Sequence, residues 1–522
     1  MTGSLQDASR GSCAIGTRAS VLDCGGPPPL VPALRQLRPM LIKTAIVTLL
    51  LAFVAVCLFG YVLNNQSGIF REFQSALLSL QWMLLVCLAV WCGTFIFLTF
   101  GLKDLPLIGL LLIAIAAFFI GYALSLQPTD AVILLAGVTL GRGARFLLNE
   151  EGRMKNEECE SILEIVNRKS AIVNFLVGLA GLLAFSSWWH LAATGSYHGP
   201  RWMGLWDNPN IYGMLMGAGV VLAIGLLTAK NAENAEKISN TPEPLSKPHS
   251  SRGDEAQTED ILEPPYVGCK ENFNSFPRSF LRSLRSFAVI QCVFLFVAAG
   301  MMAVGLFFSY SRGAWLGTAV GLLYLAWAYG KFKWRFVLPG ILVVAAVVCF
   351  FWHSTADTDQ WYLKRLDVSR PSAQHRVSAW RGAVQMMWDH PLGVGWNNAI
   401  GVYGKDYSPP EGGAAALTMN SYLMLGTELG LPGLLCFVAY VGLCFRKSPR
   451  PLIPTFSPEG EKESVRSGEG EGLRAACLAG ALVFVVAFWF DGGLFKLPTA
   501  AVFWILLELG AARKVERGRV DG

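Results

Sequence analysis

The sequence predicts an all-α polytopic membrane protein of about twelve transmembrane helices, with one large outside loop before the tenth. Three observations lead there. Of 522 residues, 53% are hydrophobic and only 15% are charged, below the roughly 25% charged of soluble domains. Apolar runs of about 20 residues, the length that crosses a bilayer core, recur from Met40 almost to the C-terminus. Lys and Arg gather in alternate gaps between those runs, as they do when basic residues stay on the cytoplasmic side.

In chain order, residues 1–39 read as a cytoplasmic tail, because they lack the apolar core and cleavage site of a secretory signal. Spans are expected at 40–63, 78–100, 105–126, 130–148, 171–193 and 209–229, so that 40–229 holds the first six. Residues 286–353 hold three more, at 286–309, 313–330 and 334–353. The tenth, at 420–445, fills the block 419–446, and the last two, at 474–491 and 497–512, fill 474–512. The fourth is the weakest, since Gly137, Gly141, Gly143 and two arginines crowd its end. A re-entrant segment there would leave eleven spans.

Segments 230–285 and 447–473 are rich in Ser, Glu, Pro and Lys and poor in aromatic residues. They cannot bury enough surface to fold alone and read as disordered cytoplasmic linkers, and 513–522 as a second cytoplasmic tail. With both termini inside, the inside segments hold 32 Lys and Arg and the outside segments 10, with Lys43 in the first span. The net charge of +6 is therefore topological. Its clusters form no single basic face, so no nucleic-acid partner is expected.

The outside loop, 354–418, is different in kind from the linkers. It carries Trp361, Tyr362, Trp380, Trp388, Trp396, Tyr403 and Tyr407 among basic residues, and it reads as folded. Residues 374–388 form an amphipathic helix, with Val377, Trp380, Val384, Met387 and Trp388 inside an arc of roughly 100° at the helical period. Arg376 and Arg381 flank the arc. Such a helix lies on the membrane surface or packs on the bundle, and packing is the plainer expectation. Pro391-Leu392-Gly393-Val394-Gly395 then ends it. None of the twelve cysteines lies in an outside loop and no CxxC spacing exists, so neither a disulfide framework nor a metal site is expected.

Two outside sites carry chemistry. Arg312, in Ser309-Tyr310-Ser311-Arg312-Gly313-Ala314-Trp315, sits on a tight turn between spans, where a guanidinium can fork onto a phosphate. The plainer reading is an interfacial anchor. Arg201 precedes Trp202, Trp206 and Asp207-Asn208-Pro209-Asn210, where Asn208 suits an N-cap and Pro209 the first helical turn. That helix would point free N–H groups and its positive dipole end outward, toward an anion. The outside histidines and carboxylates, His190, His198, His353, His375, His390, Asp207, Asp389, Glu411 and Asp491, are possible bases. Glu428 lies within the tenth span and needs a partner. No Ser-His-Asp order, HExxH or GxxxxGK supports a hydrolase or a nucleotide-driven enzyme.

In this order, Asp207-Asn208-Pro209-Asn210 with Gly213, Ser311-Arg312-Gly313-Ala314-Trp315, Arg376 to Trp380 with Pro391-Leu392-Gly393-Val394-Gly395, and Asn420-Ser421-Tyr422-Leu423 with Glu428-Leu429-Gly430 resemble the O-antigen ligase and O-antigen polymerase superfamily of bacterial envelope glycosyltransferases. The resemblance covers roughly residues 200–450. It implies transfer of a glycan from an undecaprenyl-diphosphate carrier to a glycan, lipid or protein acceptor at the periplasmic face of the inner membrane, with no cofactor or metal. Under it Arg312, Arg201, Asn208, Asn210, Arg376 and Arg381 would hold the donor diphosphate, with Glu428, Asn420 and Tyr422 in support. In the ligases a histidine usually precedes the Asn of Asn-x-Tyr-Leu and is thought to activate the acceptor. Met419 stands there in this chain and cannot take a proton. His375, Glu411 or His390 is then a substitute base, or transfer relies on positioning and on phosphate stabilised by arginine.

The alternative is a non-enzymatic transporter or lipid-linked glycan binder on the same scaffold. A transporter should place ionisable residues and broken helices near midplane in several spans. The spans hold chiefly Lys43 and Glu428, and no internal repeat is visible.

Overall fold

The computed structural model describes residues 30–59, 104–120, 129–149, 162–188, 197–198, 201–206, 208–239, 278–329, 371–407, 420–446 and 468–512. Two of the expected spans, 78–100 and 334–353, lie outside the described residues. The chain divides into residues 1–45 and 46–522; of the first unit, only the start of helix α1 (Leu30–Phe59) is described.

Thirteen α-helices are present among the described residues. After α1 come α2 (Leu105–Ile120), α3 (Thr129–Asn149), α4 (Ile162–Trp188), α5 (Pro209–Ser239), α6 (Arg278–Ser309) and α7 (Arg312–Ala328). The segment before the tenth expected span contributes α8 (Pro371–Asp389) and the short α9 (Ala399–Val402). The rest are α10 (Ser421–Glu428), α11 (Gly430–Arg446), α12 (Gly468–Ala487) and α13 (Leu497–Ala511). A two-stranded ribbon, β1 (Tyr197–His198) and β2 (Arg201–Trp202), pairs Tyr197 with Trp202 and precedes α5.

Among the described residues five helical stretches are long and apolar enough to cross a membrane: Asp130–Leu148, Ala171–Trp188, Pro209–Ala229, Val289–Ser309 and Gly470–Ala487. Shorter apolar stretches lie in α1, α2, α11 and α13. Burial divides these helices. Every residue of α13 from Pro498 to Ala511 is buried, so it is the centre of the bundle. On α6, Val289, Ile290, Val293, Phe294, Phe296 and Val297 are exposed. An apolar stripe of that extent is stable only against another apolar phase.

Where the hydrophobic effect between helices is weak, close backbone packing holds them, and the glycines serve that purpose. On α7, Gly317 and Gly321 face α12 one turn apart. A Cβ on them would lie 2.5 Å from the Val483 carbonyl oxygen and 2.8 Å from that of Ala479. The fourth span resolves in the same way. Residues 129–149 form one continuous helix, and Gly137 and Gly141 admit Trp504 of α13, whose carbonyl oxygen would lie 2.5 Å from a Gly141 Cβ. Of the glycines that weakened this span in the sequence, Gly137 and Gly141 are packing residues, whereas a Cβ on Gly143 would meet open space.

Contacts sort the helix ends into two sets. One brings together the C-terminal ends of α1 and α4 and the N-terminal end of α5: Trp206 Nε1 donates to Leu58 O at 2.8 Å and Tyr212 OH to Ser187 O at 3.0 Å. The other brings together the opposite ends: Tyr329 OH, just past α7, donates to Gly225 O and Gly472 O, and Arg474 Nε to Gly510 O.

Three expectations need correction. The tenth span is not one helix: α10 and α11 are separated at Leu429, and Gly430 takes φ +75°. The linkers are entered by helix, since α5 runs to Ser239, α6 starts at Arg278 and α12 starts at Gly468. The face of α8 that packs is not the predicted arc. Ala379, Ala383, Met386 and Met387 are buried, whereas Val377, Val384 and Trp388 are exposed. At 100° per residue the packed face is rotated by roughly 100° from the centre of the apolar arc. The packed face is made of alanines and methionines, and Met387 reaches Gly426 of α10, where a Cβ would leave no room for its sulfur.

Candidate functional site

The first set of ends gathers the motifs that the sequence singled out. Asn208 caps α5 as expected: its Oδ1 accepts from the Asn210 backbone N–H at 2.8 Å and its carbonyl from Tyr212 N. Ser311 caps α7, its side chain accepting from Ala314 N, and the turn before it is tight enough to put Tyr310 at φ +48°. Asn420 caps α10 through Oδ1, which accepts from Tyr422 N at 2.9 Å and Leu423 N at 3.1 Å. Gly213 of α5 touches Ser309, Ser311 and Ala314, so that an added Cβ would crowd all three. Ser421 Oγ donates to Asp491 O and accepts from Leu494 N. The N-terminal ends of α5, α7 and α10 are thereby tied to one region, each with its positive dipole end there.

A polar relay runs through it. Arg201 Nε donates to Ser309 O at 2.9 Å, and its Nη2 to Asn210 Oδ1 at 2.8 Å and Tyr310 O at 3.4 Å. Asn210 Nδ2 then donates to Asp491 Oδ2 at 2.7 Å. The guanidinium of Arg201 thus buttresses the turn that carries Arg312, which is exposed at the first position of α7. Asp491, past the end of the Gly470–Ala487 stretch, is buried. Burial pushes its carboxyl above the usual carboxylate range, opposed by the hydrogen bond from Asn210, by Lys496 and Arg376, and by a hydrogen bond from Asn208. Asn210 therefore bonds Asp491 directly, Arg201 reaches it through Asn210, and Asn208 and Arg376 act on its carboxyl by hydrogen bond and by charge. The signal for that residue was available: an acidic side chain followed by Gly492-Gly493 closes an otherwise apolar run.

Other named residues lie elsewhere. Arg381 is exposed on the outer face of α8, and no described contact ties it to the relay. His390, at the end of α8, is exposed; its backbone N–H donates to Met386 O and its carbonyl accepts from Gly393 N. His375 lies on α8, but its side chain is outside the described residues, as are Glu411 and Met419. Tyr422 is half-buried and its hydroxyl donates to Val485 O at 2.6 Å.

The break in the tenth span is filled by the segment after α8. Val394 N donates to Thr427 O, Gly395 N to Glu428 O and Leu431 N to Pro391 O. Gly393, at φ +82°, and Gly430 meet backbone to backbone, with no room for a Cβ on either. Glu428 is buried and its carboxylate accepts from the Asn397 backbone N–H. Trp396 goes deeper, donating from Nε1 to Ala114 O of α2 at 2.7 Å. An interrupted helix beside a buried carboxylate is what a transporter would use for an ion. Here these freed backbone groups pair with residues 391–395, so the interruption is a socket for the loop.

Among the described residues no group of three or more His, Cys, Asp or Glu could hold a metal ion. No curated protein matches the chain. Residues 297–438, which include Arg312, α8, the socket and Asn420, match the model of a family described as O-Antigen ligase. The matched segment starts in α6 and ends in α11, and the relay to Asp491 reaches beyond it on both sides. Through that segment the chain is similar to the O-antigen ligase family.

Proposed function

We propose that this protein is a membrane glycosyltransferase of the O-antigen ligase or polymerase type. It transfers a glycan from an undecaprenyl-diphosphate carrier to a lipid, glycan or protein acceptor at the periplasmic face of a bacterial inner membrane. The chain crosses about twelve times, with both termini cytoplasmic and residues 354–418 outside. The carrying observation is the gathering of three capped helix N-termini around Arg201, Asn210 and Asp491, with Arg312 exposed at one of them. Helix N-termini and arginines together favour an anion, and the family match supplies the chemical class.

In this reading Arg312 grips the diphosphate and Arg376 lies within electrostatic reach. Arg201, Asn208 and Asn210 hold the turn and helix that present it, and Asn420 and Tyr422 fix α10. Glu428 holds the socket. The stabilised phosphate leaves as the acceptor hydroxyl attacks, and His375, Glu411 or His390 takes the proton that Met419 cannot. The test is transfer by purified protein supplied with undecaprenyl-diphosphate glycan. Arg312→Lys keeps the charge but loses the fork, so the rate should fall by about 10²-fold or more while membrane insertion stays normal. Wild-type rate in that variant would reduce Arg312 to an anchor. Single replacement of His375, Glu411 and His390 should identify one whose loss abolishes transfer. Full activity in all three would leave transfer by positioning alone.

A further inference from the structure

The bulky side of α8 that does not pack borders a groove of about 520 Å³, whose walls include Val377, Val384 and Trp388 of α8, Leu423 of α10 and Trp489 just past α12. Arg381 lines the same groove, being a near neighbour of Val377, Val384 and Trp388 at the helical period. Trp380 also lines it, with its ring 5.8 Å from that of Trp489. Its Nε1 is buried and finds no acceptor among the described residues. Trp388 and Trp489 are 73% and 47% exposed.

The level of this groove is set by its neighbours. Trp489 follows a stretch that is long and apolar enough to cross a bilayer, and tryptophans at the end of such a stretch mark the headgroup region. An open apolar trough at that depth, lined by one guanidinium and two exposed tryptophans, matches one chain of an anionic amphiphile with its phosphate on Arg381.

We propose that the α8 groove binds an acyl chain of an anionic phospholipid of the surrounding leaflet, with Arg381 on the headgroup phosphate, so that α8 is anchored to the membrane surface. The site does not depend on glycosyl transfer. Full-length protein in zwitterionic nanodiscs, doped with phosphatidylglycerol carrying a diazirine in its acyl chain, should on illumination give adducts at residues 377–388 and at Trp489. Phosphatidylcholine with the same diazirine should label these residues about five-fold less, the effect of one basic residue at an anionic surface. Arg381→Gln should abolish that preference, and Trp388→Gln should reduce adducts with both lipids. Equal labelling by the two lipids in the wild type, or no adducts on these residues, overturns the proposal. Displacement of the phosphatidylglycerol probe by equimolar undecaprenyl phosphate would assign the groove to an isoprenoid chain and overturn it as well.

Discussion

Each end of the helix bundle contains a buried carboxylate, and the two are satisfied in opposite ways. At the end away from the relay, Glu508 of α13 is fully buried and meets Arg142 Nε at 3.1 Å and Arg145 Nη1 at 3.0 Å, both from α3. Tyr440 of α11 donates to it as well, and Arg142 also pairs with Asp104 at 2.5 Å, just before α2. Four chain segments are locked by charges that largely cancel. At the other end Asp491 receives a neutral amide, Asn210, while the nearest guanidinium of the relay, Arg201, is bonded to backbone carbonyls and to that amide. Arg376, Lys496 and three helix N-termini add positive potential there. The comparison teaches that a carboxylate closed by two arginines is a fastening. One supported by amides beside positive helix ends leaves attraction for a further anion.

The comparison breaks first on topology, where the effect is all or none. Single cysteines at Ser196 and Ser408 should react with a membrane-impermeant thiol reagent from the periplasmic side, and one at Ser251 should not. Reactivity at 251 in sealed cells would turn the two ends around. Next in size, Glu508→Ala strands two arginines in the packed bundle and should cost about 3–5 kcal/mol. The check is thermal unfolding of detergent-purified protein, and an unchanged Tm would mean that the cluster holds nothing. Tyr440→Phe removes a single bond to a charged group and should cost about 1.5–3 kcal/mol in the same assay.

The smallest effect concerns pH at Asp491. Its folded-state pKa is raised above the ordinary 3.8, so its contribution to stability is fully present below that value and is lost as pH rises through the folded pKa. The Tm of the wild type relative to Asp491→Asn should therefore decline as pH rises above about 4, the ordinary carboxylate value. A wild-type advantage that grows over that range would mean that Asn210, Lys496 and Arg376 outweigh burial.

The sequence by itself determined the apolar helical class, the cap at Asn208 and the resemblance that residues 297–438 carry. These are local or additive properties: hydropathy per residue, and short motifs whose geometry is set within one turn. Only the tertiary structure decided what those pieces face. Glycines that looked like a defect in the fourth span admit Trp504, because a missing Cβ has value only where another helix approaches. The tenth span breaks at Gly430 because residues 391–395, distant in sequence, bond to its backbone. The packing side of α8 escaped the periodicity because the apolar arc records which side chains avoid water, whereas the packed side, with its alanines and methionines, is fixed by the shape of the bundle it meets. Asp491 joined the site for the same reason. Its partner Asn210 lies 281 residues away in the chain, and hydrogen-bond geometry at that separation exists only after the helices have packed.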